Sequence, residues 1–210
     1  MFNYKHKKQT GGSGQYAHIV GTLGLLPSNA EEEFLFEENI VGGKIPKQFI
    51  PSVERGFREQ LLKGPIAEFP VIGLHVTIND GSYHEVDSSD KAFQTCARAC
   101  FRENFRKTKP VLLEPIMKVE VECPQTFQGA ITADLSSRRG IIASSEGRGD
   151  TIQISGQVPL AEIFGYATNL RSLTQGQGTF SLELHTYRRV PTSIQEEIVA
   201  DRAEQKMATA

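Results

Sequence analysis

His84 stands in the run GSYHEVDSS, residues 81–89, with Tyr83 before it and Glu85 and Asp87 after it. An imidazole between an aromatic ring and two carboxylates has two chemical uses. It can pass protons during catalysis. It can also donate to or accept from a base or ribose while the aromatic ring stacks. Proton chemistry needs a nucleophile or a metal set close by, and nothing in the neighbouring sequence supplies one. The residue types alone leave a solvated loop equally open, with Asp87 as cap of the helix that follows.

A second candidate is KKQTGGSGQY, residues 7–16. A phosphate-binding P-loop places Lys and then Ser or Thr directly after its last glycine. Here Gln15 follows Gly14, and both lysines precede the glycines. A dinucleotide fingerprint opens a helix, whereas QYAHIVGTLGLL, rich in β-branched residues and glycine, reads as a strand. This loop therefore cages no nucleotide.

The remaining candidates have plainer readings. Cys96 and Cys100 are spaced as metal ligands on a helix, but they share a face with Phe93 and Ala97 and have no histidine nearby, so they read as core. Cys123 closes a strand. His75 and His185 alternate within strands and read as structural; His6 and His18 flank the glycine-rich loop. Ser13 lacks the G-x-S-x-G setting of a nucleophile elbow. Arg98, Arg102 and Arg106, with Lys107 and Lys109, form a basic stripe that is either solvated or phosphate-facing. Arg138 and Arg139 close a helix, where positive charge complements the dipole; RNA phosphate is their other possible partner.

The elements that must position these residues follow from periodicity. Residues 2–9 and 15–26 read as an antiparallel pair around the glycine-rich turn, and 31–41 as a further strand or edge. Pro51 opens a helix whose Val53, Phe57 and Leu61 share one face, and Gly64-Pro65 stops it. A strand over 71–80 leads into the His84 loop, and a helix capped by Asp87 runs to about Lys107. Met117, Val119 and Val121 alternate with charged residues in a half-buried strand. A helix over 125–138, two strands around Gly147-Arg148-Gly149-Asp150, a helix over 159–173 with Pro159 near its first turn, and a strand over 179–187 complete a β-α-β-β-α-β order. That is the ferredoxin-like plan. Residues 192–210 read as a short helix or a frayed tail.

Composition bounds the function. The 210 residues allow one large domain or two smaller ones. Hydrophobic residues make up 39% and charged residues 23%, which suits a soluble globular chain. The net charge of −2 means that any nucleic-acid binding must come from local patches. Three cysteines argue against a disulfide framework. No apolar run approaches a membrane span, and the basic N-terminus has no apolar signal core. The expectation is a cytoplasmic protein without a membrane partner.

Six runs together carry a more specific message: YKHKKQTGGSGQY, GGKIPKQFIPSVERGFREQL, GSYHEVDSSDKAF, KPVLLEPIMKVEVECP, DLSSRRG and PLAEIFGYATNLRSLTQGQG. Over residues 2 to about 190 the chain resembles the C-terminal third of the bacterial elongation factor G family, the ribosomal translocases. The resemblance implies an α+β fold of two domains. Residues 1–116 would be the fourth domain, elongated, with a left-handed βαβ crossover. Residues 117–190 would be the ferredoxin-like fifth domain, with 191–210 as a tail. In that family the tip of the fourth domain enters the decoding centre and prevents the tRNA and mRNA from moving back. The resemblance assigns to this tip Lys8, Gln9, Thr10, Gly12, Ser13, Gln15, Ser82, Tyr83, His84 and Asp87. It places the fifth domain by large-subunit rRNA near the stalk base, with Arg138 and Arg139 as contacts. The glycines would let backbone approach a polynucleotide, and the lysines would supply charge.

No P-loop or other GTPase motif occurs in these residues, so GTP and Mg belong to an N-terminal domain of the parent. The expectation is a monomeric, non-catalytic piece without cofactor or metal. A paralogue specialised for ribosome recycling is the alternative.

Overall fold

The computed structural model describes residues 1–9, 14–27 and 32–209. They divide into two compact units. One comprises residues 1–110 with 196–210, the other 111–195.

The first unit contains β1 (Phe2–Lys8), β2 (Gln15–Leu25), β3 (Phe34–Glu38), α1 (Ile50–Leu61), β4 (Leu74–Ser82) and α2 (Asp90–Asn104). The strand order is β1-β2-β4-β3. β1 and β2 pair antiparallel, as do β2 and β4, while β3 lies parallel to β4. A parallel pair needs a crossover, and α1 lies in the stretch that makes it. Ala17 and Ile19 on β2 and Leu74, Val76 and Ile78 on β4 are buried, alternating with half-buried polar neighbours. This period of two puts one sheet face under the helices and leaves the other open.

α1 buries Val53, Phe57 and Leu61 at intervals of four, and Pro51 sits in its first turn. α2 buries Phe93, Cys96, Ala97, Cys100 and Phe101. Phe49 stacks on Phe93 with ring centroids 4.9 Å apart. Burial of each such ring contributes about 2 kcal/mol or more. The two helices approach at Gly56, where a Cβ would sit 2.7 Å from both Ala97 Cβ and Gln94 O. Only glycine permits that approach.

The cap of α2 corrects the sequence reading. Ser89, in extended conformation, accepts from Ala92 N–H and is the N-cap. Asp87 lies two residues upstream in the loop. Ser89 and Asp87 are both good capping types, and the loop's own hydrogen bonds decide between them.

The second unit contains β5 (Leu113–Pro124), α3 (Gln128–Ser137), β6 (Ile141–Arg148), β7 (Thr151–Pro159), α4 (Tyr166–Leu173) and β8 (Thr179–Arg189). The strand order is β6-β7-β5-β8 with every pair antiparallel, the ferredoxin-like arrangement. Val119, Val121, Ile131, Leu135, Ile154 and Leu170 are among its core residues. The helix expected over 159–173 is broken. Pro159 ends β7, residues 160–162 form a 3-10 turn, and Gly165 has φ +74° directly before α4. A left-handed residue cannot continue a right-handed helix. The tail is a helix, α5 (Thr192–Thr209).

Candidate nucleic-acid interface

Gly14 and the start of β2 meet the His84 loop at one end of the first sheet. β1 and β2 keep register up to Lys8 opposite Gln15, and the pairing of β2 with β4 ends with His18 opposite Ser82. The end of β1, the start of β2 and the end of β4 are therefore adjacent, and residues 83–89 leave the sheet there. Thr10, Gly12 and Ser13 lie outside the described residues.

Backbone and side chains tie the His84 loop to the start of β2. Tyr16 N–H donates to Asp87 O at 2.9 Å. Ser88 Oγ–H donates to Tyr16 O at 2.7 Å, and the same oxygen accepts from His84 N–H at 2.9 Å. Ser88 N–H closes the turn on His84 O at 3.0 Å. Gly14 lies against the Asp87 carboxylate. Gln15 Oε1 is bonded to His6 Nε2 at 2.9 Å, so the Gln15 side chain is held along the sheet end.

His84 is half-exposed, and its ring is oriented by the loop. Nδ1 accepts from Val86 N–H at 3.3 Å and Asp87 N–H at 3.2 Å. The Asp87 carboxylate stands 3.6 Å from the same nitrogen, beyond hydrogen-bond distance. A nitrogen that accepts two N–H groups carries no proton, so the neutral ring bears its proton on Nε2. Nε2 has no hydrogen-bond partner among the described residues, and the neighbouring Tyr83 is 42% exposed. Lys8 and Gln9 are exposed at the neighbouring strand end.

Ser82 is tied down rather than presented. Its Oγ bonds Tyr16 Oη at 2.8 Å and His18 Nδ1 at 3.0 Å, and His18 Nε2 bonds Asn3 Oδ1 at 2.8 Å. With Asn3 Oδ1 accepting, His18 Nε2 carries the proton, Ser82 donates to Nδ1, and Tyr16 donates to Ser82. A Ser-His-Asn set usually suggests a nucleophile, but here all members brace strands. Burial first, and then the Lys5 ammonium, hold the His18 pKa below the ordinary range, with Asp80 pulling the other way. Sequence reasoning missed Tyr16, His18 and Ser88 as members of the tip. Their partners lie 64 to 72 residues away, and no local pattern signals such a pairing.

Arg138, Arg139 and the arginines of α2 are engaged by protein groups, whereas Lys109 is exposed. Arg139, at φ +58°, makes two bonds to the Glu114 carboxylate at 2.8 and 2.9 Å, and its Nε–H donates to Glu162 at 2.9 Å. Arg138 donates to Asp134 at 3.0 Å and to Glu162 O at 2.7 Å, and its guanidinium lies over the Tyr166 ring. On α2, Arg98 pairs with Glu59, Arg102 donates to Gln60, and Arg106 to Pro65 O. This stripe latches α2 to α1 and the segment after it. Cys96, Cys100 and Cys123 are buried. Among the described residues no cluster of His, Cys, Asp and Glu could hold a metal ion. Among them, too, no helix is long and apolar enough to cross a membrane.

A mixed four-stranded sheet is thus followed by a ferredoxin-like unit. Residues 1–109 match the family model for elongation factor G, domain IV, and residues 111–198 that for the elongation factor G C-terminus. The chain belongs to the elongation factor G family. It is 59% identical over 209 residues to elongation factor G of Rhodopirellula baltica, covering all of this chain and 30% of that protein. It is 53% identical to elongation factor G 1 of Syntrophus aciditrophicus, again over 30% of the relative's length. A crystal structure of a Thermus thermophilus protein superposes with a TM-score of 0.86 at 41% identity, over 97% of this chain and 30% of that one. The chain thus spans about 30% of the length of the relatives it matches.

Proposed function

We propose that the first unit is the arm of a ribosomal translocase, and that its tip holds the paired tRNA and mRNA in the decoding centre as they move. The observation that carries this reading is the anchoring of the His84 loop to the start of β2 through Tyr16, Asp87 and Ser88, which leaves His84 half-exposed. A preorganised donor on a braced tip can enter a groove without the entropy cost of ordering a free loop. Lys8, Gln9, Thr10, Gly12, Ser13 and Gln15 would meet sugar and phosphate, and Tyr83 would stack or pack beside His84. The contribution is steric and electrostatic, with no bond chemistry in the tip. GTP and Mg act in the preceding part of the parent, which is the GTPase. The second unit lies by large-subunit rRNA in this reading. The ion pairs of Arg138 and Arg139 favour a bracing role for both over direct phosphate contact.

The experiment is a photo-crosslink. The chain is joined to the preceding part of a relative, a benzophenone side chain replaces Tyr83, and pre-translocation ribosomes are irradiated. Crosslinks to tRNA or mRNA at the codon support the proposal. Crosslinks confined to protein or to distant rRNA contradict it.

A further inference from the structure

The first sheet has an open face as well as a tip. Lys5 and Lys7 project from it, because each pairs across β1 and β2 with a residue of that face, Lys5 with His18 and Lys7 with Tyr16. Both lysines are exposed. Among the described residues neither has an ion-pair partner; exposed Lys8, Lys47, Lys91 and Lys109 share this, but Lys5 and Lys7 stand in line on the open sheet face. The carboxylate of this face nearest the tip is Asp80, and Lys44 already neutralises it at 2.9 Å. On a chain of net charge −2, two ammonium groups lie in line on β1, while the Glu37 carboxylate of the same face is on β3, bonded to His75 at 2.9 Å.

The surface around them carries little that could read a base. Tyr16 Oη, Ser82 Oγ, both nitrogens of His18 and Asn3 Oδ1 are bonded to one another. Burial, and then Lys5, lower the His18 pKa, with Asp80 opposing. What remains is charge without uncommitted directional groups. Lys5 and Lys7 are about 6.8 Å apart along the strand, a spacing comparable to that of successive phosphates on an extended polynucleotide.

We propose that the open face of the first sheet, at Lys5 and Lys7, is a track for RNA sugar–phosphate backbone that binds without reading sequence. The proposal extends the RNA-facing reading of the tip and rests on it, but the two can fail separately.

The test is fluorescence anisotropy of the 210-residue chain with labelled RNA hairpins of unrelated stem sequence, over a series of potassium chloride concentrations. Each phosphate contact contributes roughly one to the slope of log affinity against log salt. The Lys5→Gln/Lys7→Gln variant should lower that slope by about two and weaken all hairpins by the same factor. Lys5→Arg/Lys7→Arg should keep it, and Lys91→Gln, an exposed charge on α2, should leave it unchanged. The crosslink from position 83 reports on the tip alone, so the track and the tip are tested separately. An unchanged slope in the double glutamine variant overturns the proposal. So does an equal loss with Lys91→Gln, an absence of binding at the lowest salt, or displacement of the hairpin by polyglutamate as readily as by unlabelled RNA. The last result would assign the face to an acidic protein partner.

Discussion

Gly14 sits directly against Asp87: a Cβ on residue 14 would stand 2.6 Å from Asp87 Oδ1 and 2.7 Å from Cγ. The glycine belongs to one loop and the carboxylate to the other, so the contact is part of what makes the tip a single object. Gly14→Ala should push the Asp87 carboxylate away from His84 and cost about 1 kcal/mol, since this short side chain is only partly buried and can yield. The readout is the His84 ring resonance. It should shift in Gly14→Ala and in Asp87→Ala, and the double variant should resemble Asp87→Ala alone. Additive shifts would show that the two residues do not communicate.

The depressed pKa of His18 links stability to pH. A folded value below the unfolded one means that the unfolded chain binds more protons across the gap. The stabilising contribution is fully present above the ordinary histidine value of about 6.5 and is lost as pH falls through the folded value. The difference in unfolding free energy between the native chain and His18→Gln should rise toward pH ~6.5 and stay flat above it. A difference independent of pH would mean that His18 titrates alike folded and unfolded.

Arg139 should matter for the stability of the second unit. Its bonds to Glu114 and Glu162 are charge-assisted, and the Glu114 side chain is only 13% exposed. Arg139→Ala should lower the unfolding free energy by about 2 kcal/mol, and Arg139→Lys should recover less than half, because an ammonium cannot make the paired bonds. Urea unfolding followed by a probe in the second unit measures both. A full recovery by lysine would reduce the interaction to simple charge.

The three thiols should be silent. Cys96 is fully buried, and burial pushes its pKa up to about 12; burial also raises those of Cys100 and Cys123. The thiolate is the reactive form. A disulfide reagent at neutral pH should modify none in the folded chain and all three in denaturant. Fast reaction of any one would show that its core opens.

Much of this was legible in the sequence. The alternation in 115–123 and the four-residue spacing of Val53, Phe57 and Leu61 announced β5 and α1, because burial of one face imposes those periods. The motif runs around His84 and Gly14 carried the family, which the matched models then showed. What stayed hidden depends on long-range pairing. The bond of His18 to Ser82 follows from strand register, and a one-residue slip would undo it. Arg98, Arg102 and Arg106 fall on one helix face by spacing, but only the crossing of α1 and α2 shows that the face meets Glu59 and Gln60. The break at Gly165 was visible as a glycine and not as a left-handed one. The choice of Ser89 over Asp87 as cap turned on loop bonds that no spacing reveals.

The central claim is that the tip contributes to movement and not to GTP hydrolysis. The direct measurement joins this chain to the GTPase-bearing part of a relative and follows single-round translocation and GTP hydrolysis together, with and without His84→Ala. The account predicts that the substitution slows translocation and leaves the hydrolysis rate unchanged. Equal losses in both rates, or no change in either, would contradict it.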